Sequence, residues 1–292
     1  MLEFRLKEMG DAVDFVVLCE ATKTHAGHPK PLLFDEQKAR FAEWLPKIVH
    51  VIDDDPPPGD DAWAREHHQR QALLHGLETL GLADDDWVLI SDVDEVFRPE
   101  IVDGLRTRPT PEVLSLEMDC FYYSLKWRWR EPWDMPRAAP YASVRATGPQ
   151  ALRMAPAAST VENAGWHLSY FGDEAFVRNK LANFAHQEFN TSEDVAKIGQ
   201  RMREGRNLTD DAFDAVDPEE PGLPTHRLLL EERLRCPLAA PTVEGGPIPA
   251  AAPAPTAVPV SDVKATVRAS VARGPAPRRR KFAIGKKKSP GG

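Results

Sequence analysis

The chain has 292 residues, of which 42% are hydrophobic and 28% charged, and its formal net charge is −8. No apolar run approaches the roughly 20 residues that cross a bilayer, and the first residues lack the apolar stretch of a signal peptide. The three cysteines lie far apart, without a CxxC spacing. These features exclude a membrane-spanning or disulfide-stabilised class and predict a soluble cytoplasmic protein with buried thiols.

The charge is distributed unevenly along the chain. Residues 261–292 contain ten Lys and Arg side chains and one Asp, so this segment carries +9 and residues 1–260 carry −17. An acidic body is not typical of nucleic-acid binding proteins, and it would need a cation to hold a polyphosphate. No specific nucleic-acid partner is therefore expected.

Apolar runs and helical periodicities alternate from Leu2 to about Leu208. The predicted elements are, in chain order, a helix over residues 2–9, a strand over 15–19, a helix over 35–45, a strand over 48–52, a helix over 62–81, a strand over 87–90, a strand over 113–116, an aromatic stretch over 121–133 and a helix over 177–184. Strands that alternate with helices favour an α/β sheet, mostly parallel and flanked by helices, in one domain of residues 1–210.

The composition changes after residue 209. Residues 237–292 hold ten of the 27 prolines, many alanines and Phe282 as the one aromatic residue. Such a segment buries too little apolar surface to offset the entropy of ordering it. We therefore expect residues 211–292 to be a disordered, Pro/Ala-rich tail, whose basic end either contacts anionic surfaces or stays solvated without a specific partner.

An acid pair follows the predicted strand at residues 87–90. Asp92 and Asp94 are two residues apart, so strand alternation would point both carboxylates the same way. Mg²⁺ and Mn²⁺ bind carboxylates together with phosphate oxygens and water, and open α/β sheets bind ligands at the carboxyl ends of their strands. The pattern therefore predicts a metal and nucleotide site, although Asp-x-Asp sequences also commonly cap turns.

Further charged residues occupy comparable positions. Glu20 and Asp53 end two other predicted strands, so several carboxylates would converge on one sheet edge and require a cation or hydrogen-bond donors. Arg65 and Arg70, on the helix before the acid pair, could face phosphate groups. The alternative for the two arginines is a solvated helix face.

Four segments, in this order, carry a family resemblance: residues 20–25 (EATKTH), 63–70 (WAREHHQR), 90–95 (ISDVDE) and 165–172 (GWHLSYFG). Together they resemble glycosyltransferase family 17 over about residues 2–208. The resemblance implies a GT-A fold and an inverting transfer of a sugar from a UDP-sugar, UDP-GlcNAc, to a carbohydrate acceptor hydroxyl. It also implies Mn²⁺ or Mg²⁺ as the cofactor. The strand that precedes the first helix in the family is expected to be missing here.

The resemblance also assigns roles to individual residues. Asp94 would be the direct metal ligand, and Asp92 would contact the ribose or a metal-bound water. Glu20 and Asp53 would contact the uridine, and Arg70 the base or the phosphates. The aromatic stretch over residues 121–133 comes where the acceptor would bind, although at least half of its aromatic side chains are expected in the core.

An inverting transfer needs a general base that deprotonates the acceptor hydroxyl. Glu188 and Asp173 are the preferred candidates, and Glu117 and Asp119 are further ones. His167 is expected to be a third metal ligand, or else the base itself. The alternative for His167 is a core histidine bonded to the backbone.

Two other functions fit the acid pair. A phosphatase of the haloacid-dehalogenase class would use Asp92 as its nucleophile, although its motif normally lies on the first strand of the chain. A nucleotide- or sugar-binding module without turnover would bind UDP with Mn²⁺ but would not consume the donor.

Overall fold

The computed structural model describes residues 1–108, 112–235 and 267–272; for residues 233–235 and 267–272 it describes the backbone alone. These residues form a mixed α/β structure, in which helices pack on both faces of one sheet. No helix within these ranges is long and apolar enough to cross a membrane.

The described residues contribute ten strands to this sheet. They are β1 (Phe15–Ala21), β2 (Ile48–Asp53), β3 (Trp87–Asp92), β4 (Glu95–Phe97), β5 (Leu114–Tyr122), β6 (Trp127–Arg128), β7 (Arg137–Pro140), β8 (Ser159–Ser169), β9 (Asp214–Ala215) and β10 (Val267–Ala272). The α-helices are α1 (Leu2–Met9), α2 (Leu33–Glu36), α3 (Ala62–Glu78), α4 (Pro99–Leu105), α5 (Tyr141–Thr147), α6 (Pro149–Met154), α7 (Glu174–Asn183), α8 (Ser192–Glu204) and α9 (Arg227–Arg235).

The strand directions differ from the mostly parallel sheet that the sequence predicts. The strand order is β2-β1-β10-β3-β7-β5-β6-β9, with β8 paired to both β5 and β4. Among the described strands, two pairs are parallel, β1–β2 and β5–β8. Strand β10 lies between β1 and β3, strand β7 lies between β3 and β5, and each runs antiparallel to both of its neighbours. The prediction of a mostly parallel sheet is wrong for this reason. Strands β1, β2, β3, β5 and β8 nevertheless share one direction, so their carboxyl ends meet at one edge.

The central strand β3 is apolar on both faces because helices cover both faces of the sheet. Val88 and Ile90 pack in one layer with Leu73 and Leu77 of α3, whereas Leu89 packs in the opposite layer. All five side chains are fully buried. Burial of such a side chain contributes roughly 1.5–3 kcal/mol to the free energy of unfolding.

Part of the segment predicted as a disordered tail belongs to the domain. Leu230 of α9 is buried, and Glu8 of α1 accepts hydrogen bonds of 2.9 Å from the backbone N–H groups of Thr225 and His226. The prediction of disorder from residue 211 is therefore wrong for residues 211–235. It rested on average composition, which hides the short run of three leucines at the start of α9.

Strand β10 also lies inside the segment that was expected to be disordered. Its backbone pairs antiparallel with β1 on one side and with β3 on the other, in the middle of the sheet. The remainder of the predicted tail, residues 236–266 and 273–292, lies outside the described residues.

Candidate functional site

A cleft of about 750 Å³ opens at the sheet edge where β1, β3 and β8 end. Glu20, Asp94 and Tyr170 line it at or just after these strand ends. Its walls come from the loop after β1 and from helices α1, α2, α7 and α9. A volume of this size suits a small-molecule ligand, and open α/β sheets place their ligands at this edge.

Asp94 presents its carboxylate to this cleft from the turn between β3 and β4. Its carbonyl oxygen accepts a hydrogen bond of 2.8 Å from the backbone N–H of Leu168, which fixes the turn against β8. Its Oδ2 lies 3.4 Å from Lys180 Nζ, and its Oδ1 lies 4.0 Å from His167 Nε2. Within the described part of the chain, the buried Oδ1 has no hydrogen-bond partner. Because an unsatisfied buried acceptor is costly, this oxygen is suited to bind a cation.

His167 lies behind Asp94 on β8 and is fully buried. Its ring packs on Trp133, with 4.2 Å between the ring centroids, and its Nδ1 lies 3.4 Å from Cys120 Sγ. Burial lowers the pKa of His167 below its ordinary value, which favours the neutral imidazole that binds metals. The tautomer in which Nδ1 donates to Sγ leaves a lone pair on Nε2.

The residues around Asp94 fit a divalent cation only in combination with a ligand. No group of three His, Cys, Asp or Glu side chains that could hold a metal ion occurs among the described residues. Asp94 and His167 supply one carboxylate and one imidazole, and Asp94 Oδ1 has no hydrogen-bond partner in the part of the chain that the structure describes. Mg²⁺ and Mn²⁺ often take one or two protein ligands together with phosphate oxygens and water, so the two side chains are sufficient on the protein side.

Asp92 differs from the sequence-based expectation, because its carboxylate does not line the cleft with that of Asp94. It is buried, and its Oδ2 lies 3.1 Å from Arg153 Nη2 and its Oδ1 3.4 Å from Arg70 Nη2. Strand β3 ends at Asp92, and the next two residues form a turn. Strand alternation therefore does not continue to Asp94, and the two carboxylates have different surroundings.

A buried ion cluster lies beneath this turn. It combines three guanidinium groups with three carboxylates, those of Arg5, Arg70, Arg153, Glu66, Asp92 and Glu95. Arg5 donates to the carbonyl oxygens of Asp92, at 3.2 Å, and of Glu95. The Glu95 carboxylate accepts a hydrogen bond of 2.6 Å from the backbone N–H of Asp92. Equal numbers of opposite charges make the burial tolerable, and these contacts fix the backbone that carries Asp94.

The cluster changes the acidity of its carboxyl groups. Burial alone would raise the pKa of Glu95, but the attraction and hydrogen bonds of Arg153 outweigh it and hold that pKa at about 2. Burial raises the pKa of Asp92 above its ordinary value, against the opposing attraction of Arg153. Glu95 is therefore the carboxylate that Arg153 holds most firmly in its ionised form.

The two acids predicted to contact uridine have structural partners. Glu20 lines the cleft, but its carboxylate accepts hydrogen bonds from the backbone N–H groups of Phe34 at 2.9 Å and Asp35 at 3.3 Å. Asp53 is buried, does not line the cleft and lies 3.1 Å from His68 Nδ1. Of these two residues, the structure therefore places Glu20 alone at the cleft.

The two arginines of α3, Arg65 and Arg70, hold residues next to the cleft but do not line it themselves. Arg65 Nε donates to the carbonyl oxygen of His25 at 2.6 Å, and its Nη1 donates to that of Gly59 at 2.6 Å. It thereby holds the loop that carries His25, which lines the cleft. Arg70 pairs with Glu66 at 2.7 Å within the ion cluster. Neither arginine lines the cleft.

The two predicted general bases lie outside the residues that line the cleft. Asp173 caps the N-terminus of α7, where its Oδ1 accepts a hydrogen bond of 2.8 Å from the backbone N–H of Phe176. Glu188 lies in a 3₁₀ turn after α7 and contacts His186 Nδ1 at 2.5 Å. Of the two, Asp173 is the one that adjoins the start of α7, the helix that forms a wall of the cleft.

Comparison with known proteins identifies the family. The family model described as glycosyltransferase family 17 matches residues 1–217. This chain belongs to glycosyltransferase family 17. The assignment confirms the resemblance seen in the four sequence segments and supports an enzyme of the glycosyltransferase class.

Three mammalian enzymes are similar to a limited part of this chain. The β-1,4-mannosyl-glycoprotein 4-β-N-acetylglucosaminyltransferases of Homo sapiens and Rattus norvegicus are each 36% identical to it over 102 residues, and that of Mus musculus is 35% identical. The matched segment covers 33% of this chain and 19% of each relative. No solved structure matches the chain.

One cleft residue of this family 17 glycosyltransferase was missed by the sequence reasoning. Lys180 of α7 lines the cleft, and its Nζ lies 3.4 Å from Asp94 Oδ2 and 4.5 Å from the ring centroid of Tyr170. A signal was present in the sequence, because Lys180 lies three residues after Val177 and one before Leu181. Both neighbours are fully buried, so a lysine here interrupts the apolar stripe of the helix.

The aromatic stretch over residues 121–133 is mainly part of the core. Phe121, Tyr122, Tyr123 and Trp133 are buried, whereas Trp127 and Trp129 are half-buried. None of these six residues lines the cleft that contains Asp94. Their role in binding an acceptor remains a prediction.

Proposed function

We propose that this chain is an inverting, metal-dependent glycosyltransferase that transfers GlcNAc from UDP-GlcNAc to a hydroxyl group of a carbohydrate acceptor. Membership of family 17 supports the class of enzyme, and the similarity to N-acetylglucosaminyltransferases supports N-acetylglucosamine as the sugar. The observation that carries the proposal is the position of Asp94 at the strand-end cleft: its buried Oδ1 has no hydrogen-bond partner among the described residues, and His167 Nε2 lies 4.0 Å behind it. That pair lies where an α/β enzyme would hold a nucleotide diphosphate.

Asp94 and His167 are the residues that would hold Mn²⁺ or Mg²⁺. When bound, the cation supplies positive charge that stabilises the departing diphosphate. The protein contributes the position of the two ligands. Glu95, two-point bonded to Arg153, and Arg5, bonded to the carbonyl oxygens of the turn, keep the backbone of Asp94 in place.

The role that we propose for Asp92 differs from the contact with ribose or metal-bound water that the family resemblance implies. We assign it to anchoring the turn through Arg153 and Arg70, since its carboxylate does not line the cleft. The same observation weighs against a phosphatase, whose nucleophile would be Asp92 and would need to reach a phosphoryl group. Family membership points away from a phosphatase as well.

The walls of the cleft supply contacts for the donor. Glu20 and His25, on β1 and the loop that follows it, and Lys180 of α7 give the cleft polar groups among many apolar ones. We propose that Glu20 contacts the uridine and that Asp53, Arg65 and Arg70 act by holding the walls rather than by touching the donor.

Asp173 is the general base that we propose for the acceptor hydroxyl. It lies at the start of α7, whose side chains Phe176, Asn179 and Lys180 line the cleft. Glu188 is the weaker candidate, because it lies in the 3₁₀ turn beyond α7 and its carboxylate is paired with the His186 side chain. The base takes the acceptor proton as the acceptor oxygen attacks the anomeric carbon.

The deciding experiment measures UDP binding by isothermal titration calorimetry with and without Mn²⁺, together with consumption of UDP-GlcNAc. We expect the wild type to bind UDP more tightly with Mn²⁺ and to consume the donor only when Mn²⁺ is present. Asp94→Asn should abolish the effect of Mn²⁺ on both. Asp103→Asn, at an exposed aspartate of α4 with 67% of its side chain accessible, should behave as the wild type.

Three results would reject parts of the proposal. UDP binding by the wild type that does not depend on Mn²⁺ would reject the role of a metal ion. Unchanged Mn²⁺ dependence in Asp94→Asn would reject Asp94 as its ligand. Tight, Mn²⁺-dependent UDP binding without any consumption of donor, in the presence of a range of sugar acceptors, would favour a binding module.

A further inference from the structure

We propose that Lys180 binds the diphosphate of the donor and exchanges its contact with Asp94 for that diphosphate when a cation occupies Asp94. The inference rests on the proposed function and adds a residue that the acid-pair motif does not contain. It assigns to α7 a direct part in holding the leaving group.

The ammonium group of Lys180 lies beside Asp94 at the cleft. Lys180 Nζ lies 3.4 Å from Asp94 Oδ2, its side chain is 10% exposed, and its outer surface lines the cleft. The Tyr170 ring, 4.5 Å from Nζ, gives the cation a second favourable contact. The lysine is therefore held at Asp94, the carboxylate proposed as the metal ligand.

A diphosphate leaving group needs more positive charge than a cation bound to Asp94 alone supplies. A cation held by Asp94 has part of its charge cancelled by that carboxylate, while the departing diphosphate gains negative charge as the sugar leaves. The described residues offer no third metal-ligating side chain of the His, Cys, Asp or Glu type at this point. A fixed cation next to the metal position would add to the stabilisation of the leaving group, and Lys180 is placed to supply it.

The ammonium group of Lys180 and a divalent cation can both be accommodated beside Asp94, because Lys180 can move away when the cation binds. Without a metal, Lys180 neutralises Asp94 and avoids an uncompensated buried carboxylate. A divalent cation at Asp94 removes that need and repels the ammonium group. The four-carbon stem of lysine allows Nζ to move by an ångström or more, and an anionic diphosphate bound to the metal would then be its nearest negative charge.

The chemical step balances without any change in Lys180. The bond between the anomeric carbon and the diphosphate oxygen breaks, and its electron pair stays on that oxygen. The acceptor oxygen forms the new bond to the anomeric carbon, and its proton passes to the base. Lys180 stays protonated throughout and acts by its charge and its hydrogen bonds.

The test compares UDP with uridine, which lacks the phosphates, in calorimetric titrations at saturating Mn²⁺. We expect Lys180→Gln to weaken UDP binding by about 10- to 100-fold, the range for loss of a hydrogen bond to a charged group, and to leave uridine binding unchanged. Lys180→Arg, which keeps the charge, should recover most of the affinity. Lys197→Gln, on α8 and outside the cleft, is the matched control.

A measurement on the wild type covers the case in which Lys180→Gln fails to fold. The rate of amine acylation at Lys180, followed by mass spectrometry, should fall with UDP and Mn²⁺ but not with uridine and Mn²⁺. Equal rates in both, or wild-type UDP affinity in a folded Lys180→Gln variant, would overturn the inference. Absence of UDP binding by the wild type would instead reject the proposed function itself.

Discussion

Arg153 and Glu95 form a two-point ion pair beneath the turn that carries Asp94. Arg153 Nη1 lies 2.9 Å from Glu95 Oε2, and Nη2 lies 2.5 Å from Oε1. Both side chains are completely buried, and Arg153 Nη2 also reaches Asp92 Oδ2 at 3.1 Å. A helix near the middle of the chain, α6, is thus tied to the end of β3 and the start of β4, on either side of this turn.

Replacement of Arg153 should destabilise the whole domain. Arg153→Met leaves the carboxylates of Asp92 and Glu95 buried without this partner, and loss of one member of a buried pair costs about 3–5 kcal/mol in the free energy of unfolding. Urea denaturation measures the difference. The control is Arg145→Met on neighbouring α5, where the half-exposed arginine pairs with exposed Asp84 and the cost should stay below about 1 kcal/mol. Equal effects of the two variants would show that the cluster does not stabilise the fold.

The ion pair also predicts a pH dependence in the acid range. The pKa of Glu95 is lowered from its ordinary 4.5 to about 2 in the folded state, so the unfolded chain takes up a proton before the folded one. The stability that Glu95 contributes is fully present above about pH 4.5 and is lost as the pH falls towards 2. The difference in unfolding free energy between wild type and Glu95→Gln should therefore shrink over this interval. A difference that stays constant from pH 5 to pH 2 would contradict the assignment.

His167 should contribute to metal affinity. Loss of even an indirect partner of a metal ligand typically weakens metal binding by about 10- to 100-fold, so His167→Gln should weaken Mn²⁺ binding in the presence of UDP by about tenfold or more. Titration of Mn²⁺ followed by electron paramagnetic resonance gives the affinity. His75→Gln, at an exposed position on α3, is the control. Wild-type Mn²⁺ affinity in His167→Gln would leave His167 as a core histidine.

Helix α9 should stabilise the domain through one leucine. Leu230→Ala removes a buried side chain and should lower the unfolding free energy by about 2–5 kcal/mol. Leu228 lies on the same helix with 66% exposure, so Leu228→Ala should change the stability by no more than about 0.5 kcal/mol. Thermal unfolding of the two variants provides the comparison. If both variants were as stable as the wild type, residues 227–235 would not pack as described.

The sequence predicted the fold best where the local pattern was strong. Strands β1, β2 and β3 are apolar runs that end in acids, and α3 has leucines at helical spacing, so all four were found. Strand β7 was missed because Arg-Ala-Ala-Pro has neither length nor β-branched residues. Strand β10 was missed because its surroundings have the composition of a disordered segment.

The site was predicted only in part for a related reason. Asp94 follows a recognisable strand, so its place at the cleft was found from the sequence. The partners of Asp92 come from α3 and α6, and no spacing along the chain reveals that Arg70 and Arg153 meet there. Strand alternation then gave the wrong orientation for Asp92, since the strand stops at that residue.

Strand β10 has a consequence for how the chain reaches its final shape. It pairs residues 267–272 with residues 15–18 and 87–92, so two ladders of the central sheet join segments that are far apart in sequence. Contacts of such high sequence separation slow folding, and until they form, β1 and β3 each expose an unpaired backbone edge. During synthesis the edges of β1 and β3 stay unpaired until residue 272 has left the ribosome. Nascent chains and truncated forms should therefore depend most on chaperones.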